Sequence, residues 1–253
     1  MKAPSRIVCL FSCGAASAVA TKVAISEANG LPVVIHNNVV VEEHPDNKRF
    51  LLDCQEWFQH PIDSVMNEKY NGSIYEVFTR NRFLMNRAGA PCTKHLKREL
   101  RDKQFAEGDR VVLGFTSEEQ NRLDRFIDAN PTLDVCAPLI EKGLTKSDCL
   151  GMLQRAGITL PAMYLLGYNN NNCIGCVKGG KGYWNKIRVD FPLVFQRMSN
   201  LQQALGPGSY FFKGNGGGRI SLAMLKEGEG NYPDEPDISC GIFCEMVERD
   251  LAA

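Results

Sequence analysis

Six small residues lie between a short apolar run and a helix-forming segment, and together they could bind an anion: Ser12, Cys13, Gly14, Ala15, Ala16 and Ser17. Unpaired N–H groups and the positive end of a helix dipole favour phosphate or sulfate at such a junction. Small side chains let the backbone approach the anion closely. The segment is neither a Walker loop nor a dinucleotide fingerprint. A tight turn without a ligand is the alternative interpretation.

The ten cysteines differ in their surroundings. Four lie in apolar or helical patterns, where cysteine acts as a small buried hydrophobe: Cys9, Cys54, Cys136 and Cys149. Five lie in polar, Gly-rich or Pro-rich sequence, which indicates metal binding or catalysis in a reducing compartment: Cys92, Cys173, Cys176, Cys240 and Cys244.

Cys173 and Cys176 form a CxxC segment (residues 173–176). Two thiolates at this spacing can share a metal ion or cluster, or form a redox pair. A redox CxxC usually lies early in a thioredoxin-like unit, so the late position favours a metal or cluster. By ligand counting alone, a four-cysteine zinc site is one solution, formed by Cys173, Cys176, Cys240 and Cys244.

The elements that position these residues alternate along the chain. Apolar runs predict strands near residues 6–11, 32–41, 63–66, 110–115 and 135–139. Helical patterns cover residues 15–28, 46–58, 75–86, 93–105, 118–129, 146–156 and 183–205. This alternation predicts an α/β fold, with a mostly parallel five-stranded sheet and helices on both faces. The alternation of predicted strands and helices ends near residue 168, which predicts a domain over 1–168. Residues 169–253 are then a cysteine-containing C-terminal appendage: the CxxC loop, a helical extension and a flexible cysteine-bearing tail.

The balance of charge is even, with 29 lysines and arginines against 29 aspartates and glutamates. That balance argues against a general nucleic-acid coat, although it permits a local basic patch. No apolar run approaches the roughly 20 residues of a membrane helix. The N-terminus also lacks the pattern of a signal peptide. We therefore expect a cytoplasmic protein with no membrane partner.

The segment at residues 12–17 resembles the Ser-x-Gly-x-x-Ser loop of the PP-loop superfamily, which contains ATP pyrophosphatases and sulfonucleotide (phosphoadenylyl-sulfate, PAPS) reductases. Further blocks agree in order over roughly residues 6–178: Pro-Cys-Thr-Lys-His-Leu-Lys-Arg at 91–98, Leu-Gly-Phe-Thr-Ser-Glu-Glu-Gln-Asn-Arg at 113–122, and Leu-Leu-Gly-Tyr at 165–168. The pyrophosphatases commonly have an aspartate where this chain has Ala16, which favours the reductase branch. The resemblance implies an adenine nucleotide alpha hydrolase-like fold.

The resemblance also implies roles for particular residues. Gly114 and Arg122 fall in a nucleotide-binding block. Cys92 and the CxxC segment match positions that hold an iron–sulfur cluster, with either three cysteine ligands or a fourth from Cys240 or Cys244. Cys240-Gly241-Ile242-Phe243 is similar to the reductases' Cys-Gly-Leu/Ile-His tail, whose cysteine attacks the sulfate sulfur. Lys94 and Lys97 would then supply positive charge for the thiolate and the departing phosphate.

Three functions follow as hypotheses. The first is reduction of a sulfonucleotide (PAPS or APS) with help from a thiol reductant. The second is an ATP-dependent sulfurtransferase, which would use Mg²⁺, a sulfur donor, a three-cysteine cluster and a nucleic-acid acceptor. The third is a nucleotide-binding regulatory protein without catalysis, because Ala16 and Phe243 replace residues of the family pattern.

Overall fold

The computed structural model describes residues 4–86, 89–214, 216–235 and 238. The chain divides into two compact units whose segments alternate along the sequence. Unit 1 comprises Met1–Val39, His44–Met66 and Glu99–Asn171, and unit 2 comprises Val40–Glu43, Asn67–Arg98 and Asn172–Ala253. A domain division after residue 168 stays a prediction.

Unit 1 is built on a five-stranded sheet in which every pairing is parallel. Its strands are β1 (Arg6–Leu10), β2 (Val33–Asn38), β3 (Asp63–Val65), β4 (Asp109–Val112) and β5 (Asp134–Cys136). The strand order is β3-β2-β1-β4-β5. The predicted α/β class and the parallel five-stranded sheet are therefore confirmed. The chain moves outward from β1 to β3 and then returns to pair β4 with the other side of β1.

The helices follow in chain order: α1 (Ala15–Ser26), α2 (Asn47–Phe58), α3 (Ile74–Asn81), α4 (Pro91–Thr93), α5 (Glu99–Gln104), α6 (Gln120–Ala129), α7 (Pro138–Glu141), α8 (Lys146–Arg155), α9 (Ala162–Leu165), α10 (Lys181–Asp190) and α11 (Pro192–Leu205). A π-helical stretch, Lys94–Arg98, separates α4 from α5. Unit 2 also contains an antiparallel pair, β6 (Phe212–Lys213) and β7 (Arg219–Ile220). None of the helices in the described part of the chain is long and apolar enough to cross a membrane.

The core of unit 1 holds α1 against one face of the sheet. Ile7 and Cys9 of β1 lie in the same buried cluster as residues of α1, α2 and α8, including Val19, Phe50 and Leu153. Side chains alternate between the two faces of a strand, so the buried Val8 points to the opposite face. This packing fixes the start of α1 at the carboxyl end of the central strand.

Two predicted elements differ from the structure for local reasons. The predicted helix over 183–205 is two helices, because Pro192 disfavours helical backbone at the preceding residue. Phe191 accordingly has φ −136° and ψ 63°. The predicted helix over 75–86 ends at Asn81, where Arg82 takes a left-handed conformation with φ 50°.

Candidate functional site

The loop between β1 and α1 emerges where the strand order reverses. In open parallel sheets, ligands bind beyond the carboxyl ends of the strands at this switch point. Ser12 follows β1 after Phe11, and its N–H and Oγ both lie 3.2 Å from the Oγ of Ser17. Ser17 Oγ in turn donates to the carbonyl of Gly14 at 2.9 Å. The two serines predicted from the sequence are therefore brought together by the turn.

Cys13 anchors this loop through its backbone and a buried side chain. It takes a left-handed conformation, φ 55°, and is only 2% exposed. Asn171 Nδ2 donates to the Cys13 carbonyl at 2.7 Å and to Asn47 Oδ1 at 2.8 Å. Asn37 Nδ2 donates to the Phe11 carbonyl at 3.0 Å. Asparagines from three separate segments thus hold the loop in shape.

The first turn of α1 presents donors without an acidic cap. Gly14 is the N-cap residue, with extended backbone (φ −95°, ψ 154°); as a glycine it has no side chain to cap the helix, and no acidic residue lies in the first turn. The N–H groups of Ala16 and Ser17 donate to no residue that the structure describes. The N–H of Ala15 donates to the Tyr164 hydroxyl at 3.3 Å. The helix end is therefore suited to an anion.

Three hydroxyl groups surround the space beside Gly14. A β-carbon added at Gly14 would lie 3.6 Å from Ser12 Oγ, 3.6 Å from Tyr164 Oη and 3.9 Å from Ser17 Oγ. These are ordinary contact distances, so the fold itself does not exclude a small side chain there. The position beside Gly14 is therefore bordered by three hydroxyl groups and by the N-terminus of α1.

Gly114 brings the end of β4 against the same helix turn. A β-carbon there would lie 2.9 Å from Ser17 Cα, 3.0 Å from Ser17 N and 3.2 Å from the Ala16 carbonyl carbon. Real β-carbons essentially never approach backbone atoms that closely. Glycine is therefore required for packing, whereas a direct contact between Gly114 and a nucleotide stays a prediction.

Arg122 is held by two residues that precede its helix. Its Nη1 lies 2.5 Å from Glu119 Oε1, and its guanidinium stacks 4.5 Å from the centre of the Phe115 ring. Glu119 is also part of a capping box with Thr116. Contact between Arg122 and a nucleotide stays a prediction.

Tyr164 is positioned by an ion pair on α2. Arg49 bonds both carboxylate oxygens of Asp46 at 2.7 Å, and its Nη1 and Nη2 donate to the carbonyls of Thr159 and Leu160. Asp46 Oδ2 accepts from the N–H of Ala162, the first residue of α9, at 2.9 Å. The hydrogen bond from Arg49 is the main cause that lowers the pKa of Asp46, and the Ala162 N–H acts in the same direction. The pair thereby fixes the helix that carries Tyr164.

Sequence reasoning missed Tyr164 and the three asparagines. Residues 169–172 are a run of asparagines, and nothing local in the sequence indicates that Asn171 reaches the loop at residues 12–17. Tyr164 lies 149 positions from its partner Ala15, and Asn171 lies 158 positions from Cys13. These contacts depend on the sheet order, which local pattern does not specify.

In unit 2, the CxxC segment is a turn built on a tyrosine hydroxyl. The N–H groups of Gly175 and Cys176 both lie 3.0 Å from Tyr183 Oη, and that hydroxyl lies 3.3 Å from the Cys173 carbonyl. Gly175 has φ 77°, the left-handed region that glycine adopts readily. Cys173 and Cys176 are each 5% exposed and form no disulfide.

The N-terminus of α10, directly after this turn, is capped by a carboxylate of the chain itself. Glu235 accepts from the N–H of Gly182 at 2.6 Å and of Tyr183 at 3.0 Å. An anion at this position stabilises the helix dipole. The N-terminus of α10 is therefore capped by a carboxylate, whereas the first turn of α1 contains no acidic residue.

The predicted basic and cysteine residues of the 91–98 block also lie in unit 2. Cys92 is half-buried in α4, Lys94 is exposed, and Lys97 is buried with its Nζ 3.9 Å from Glu43 Oε1. Across the described ranges, no group of three or more His, Cys, Asp or Glu is arranged to hold a metal ion. Cys240 and Cys244 lie outside the described residues. Metal binding by Cys92, Cys173, Cys176 and Cys244 stays a prediction, as does catalysis by Cys240, Lys94 and Lys97.

The four cysteines in apolar patterns have thiols of low reactivity. Burial is the main cause that raises the pKa of Cys9 to about 12, of Cys136 to about 11 and of Cys149 to about 12. Burial also raises the pKa of Cys54. The thiolate is the nucleophilic form of cysteine, so these four side chains are poor nucleophiles near neutral pH.

Comparison with known proteins adds no relative to this description. No protein-family model matches the chain, and a search of curated proteins finds no match. The assignment of function therefore depends on the geometry of the loop and on the motif resemblance.

Proposed function

We propose that this chain is an adenine-nucleotide-binding enzyme of the PP-loop type, with an adenine nucleotide alpha hydrolase-like fold and chemistry like that of the sulfonucleotide reductases. One observation supports it above the others: the N-terminus of α1, which has no acidic residue in its first turn, lies at the switch point of the sheet beside the hydroxyls of Ser12, Ser17 and Tyr164. The phosphate or phosphosulfate of the nucleotide would bind there.

The physical fit favours an anion over a neutral ligand. The first-turn N–H groups point away from the helix body, and the dipole adds a partial positive charge. Arg49 is fully engaged with Asp46, with Asp53 and with two carbonyls. The loop therefore binds phosphate mainly through N–H and O–H donors, as the small residues at 12–17 predict.

The cysteines would carry the sulfur step. In the proposed reaction the Cys240 thiolate attacks the sulfur of the sulfonucleotide, the S–O bond to phosphate breaks, and the nucleotide leaves with its phosphate. A thiol reductant then donates two electrons, is oxidised to a disulfide, and releases sulfite. Lys94, which is exposed, and Lys97, which is paired with Glu43, would supply the positive charge for the departing phosphate, as the family resemblance implies.

Anaerobic turnover of the purified protein tests this proposal, with iron, zinc and sulfide measured on the same sample. Sulfite release from APS or PAPS that is lost in Cys240→Ser, but kept in the buried control Cys9→Ser, is the expected result. Pyrophosphate release from ATP would favour the sulfurtransferase instead. Nucleotide binding without any turnover would favour the regulatory protein, and absence of nucleotide binding would contradict all three.

A further inference from the structure

Positive charge is concentrated in one continuous stretch of the chain, residues 67–98. This stretch contains seven lysines and arginines against two acidic residues, Glu68 and Glu76, whereas the whole chain has 29 of each kind. The stretch therefore has a net charge of +5, and the rest of the chain has a net charge of −5. Such a separation of charge is typical of a protein with a local surface for a polyanion.

The fold of unit 2 gathers part of this charge around the ring of Tyr70. Lys69 Nζ lies 5.2 Å from the centre of that ring, and the guanidinium carbon of Arg80 lies 5.6 Å from it. The centre of the His95 ring lies 4.9 Å from the same point. Asn67 Nδ2 donates to the His95 carbonyl at 2.6 Å, which ties the turn that contains Lys69 to the segment of His95. Three side chains that can bear positive charge thus lie close together.

Three acidic side chains of this region are engaged by groups of unit 2 itself. Glu42 accepts from two donors at the start of α3, at 2.6 and 2.9 Å. Glu43 pairs with the buried Lys97 at 3.9 Å, and Glu76 pairs with Arg80 at 3.1 Å. Their negative charge is therefore already used within the unit.

Three exposed cations remain without an acidic partner among the described residues: Lys69, Arg82 and Lys94. Arg82 follows Arg80 by two residues, at the left-handed end of α3. Glu68 is exposed and offsets one of these charges. The surface therefore keeps an excess of positive charge in contact with solvent.

The exposed side chains on this part of unit 2 are polar. Between residues 69 and 82 they are Lys69, Asn71, Thr79, Arg80, Asn81 and Arg82. None of the exposed large apolar side chains belongs to the described part of residues 67–98. Lysine, arginine, asparagine and threonine are the types that contact phosphate and sugar in nucleic acids. Protein–protein interfaces have an apolar centre, whereas nucleic-acid interfaces are more polar and more positively charged.

We propose that this basic surface of unit 2, formed by Lys69, Arg80, Arg82 and Lys94, binds the phosphate backbone of a nucleic acid without reading its sequence. Binding would neutralise several phosphates and release their counterions, so the affinity depends on salt. The inference goes beyond the proposed nucleotide chemistry and does not require it, because the loop at residues 12–17 belongs to unit 1.

Fluorescence anisotropy of a labelled single-stranded DNA of mixed sequence, about 20 nucleotides long, tests the inference with the full chain. Each phosphate contact to a single strand contributes about 0.7 to the slope of log affinity against log salt. The double variant Lys69→Gln/Arg82→Gln should therefore reduce that slope by about 1.4 and weaken binding by about tenfold or more at about 0.1 M salt. Lys94 stays unchanged in this variant, because the proposed sulfonucleotide reaction also uses it.

A matched double variant controls for net charge. Lys213→Gln/Lys226→Gln removes two exposed lysines elsewhere in unit 2. It should bind the DNA within about twofold of wild type, because these lysines lie outside the basic surface. Urea unfolding checks that both variants are folded.

Several results would overturn the inference. Wild type that does not bind the DNA, or binds it independently of salt, would contradict it without any variant. A folded Lys69→Gln/Arg82→Gln protein that binds as wild type does, or equal losses in the two double variants, would show that this surface is not the site. If polyglutamate displaces the DNA at an equal concentration of negative charge, the surface fits acidic proteins and the nucleic-acid proposal is wrong.

Discussion

Replacing Gly114 by alanine should disturb the loop at residues 12–17 through packing alone. The new methyl group would lie 2.9 Å from Ser17 Cα and 3.0 Å from Ser17 N. Both are backbone atoms of the first turn of α1, and the chain around them is buried. Relief therefore requires a shift of the helix or of the end of β4, and overpacking of this kind typically costs about 1–3 kcal/mol. The same shift would move the N–H groups that face the ligand.

Urea unfolding of Gly114→Ala and Gly208→Ala measures this effect against a matched control. A β-carbon at Gly208 would meet nothing within 4 Å, so Gly208→Ala should change the free energy of unfolding by less than about 0.5 kcal/mol. Gly114→Ala should lose about 1–3 kcal/mol and bind nucleotide more weakly. A Gly114→Ala protein as stable as the Gly208→Ala control would show that the packing argument is wrong.

Three further predictions concern the surroundings of the two sites. Arg49→Leu should lower the free energy of unfolding by about 1 kcal/mol at pH 7. Because the Arg49 guanidinium lowers the pKa of Asp46, this difference from wild type should persist at neutral pH and shrink as the pH falls below about 4. Burial lowers the pKa of His36, so on acidification the unfolded chain takes up a proton at this side chain before the folded protein does. Wild type should therefore lose stability relative to His36→Gln as the pH falls from about 7.5 through about 6.5. Parallel plots of unfolding free energy against pH for the two proteins would contradict this. Tyr183→Phe removes the shared acceptor of two N–H groups in the CxxC segment, so it should lower the free energy of unfolding by about 1–3 kcal/mol. It should also speed the reaction of the two thiols of the segment with a disulfide reagent. Unchanged thiol kinetics would refute a positioning role for Tyr183.

Much of the fold was predictable because its signals are local. The buried strand around Ile7 to Leu10 and the small residues after it predict a strand, a turn and a helix, and the structure has β1, the loop and α1 in that order. Alternating strands and helices predict a parallel sheet. Periodicity does not specify strand order, however, and the order places Gly114 against Ser17.

The parts of the site that were missed depend on long-range contacts. Ser12 and Ser17 are neighbours in sequence and were predicted together, whereas Tyr164 and Asn171 arrive through α9 and the chain that follows it. The break at Pro192 has a local cause, because proline restricts the residue before it. The buried pairing of Lys97 with Glu43 depends on tertiary packing, which the charge pattern of residues 94–98 does not specify.

Calorimetric titration of Gly14→Val with ATP and with APS tests the central claim most directly. Gly14 has extended backbone that valine can adopt, and its neighbours at the β-carbon position are hydroxyl groups at 3.6 Å or more. The β-carbon of valine therefore makes ordinary contacts, and its two further methyl groups project toward the proposed phosphate site; urea unfolding of the variant checks that the fold is intact. The account predicts that nucleotide affinity falls by more than about tenfold, or ~1.4 kcal/mol. Equal affinity in wild type and in folded Gly14→Val would contradict it.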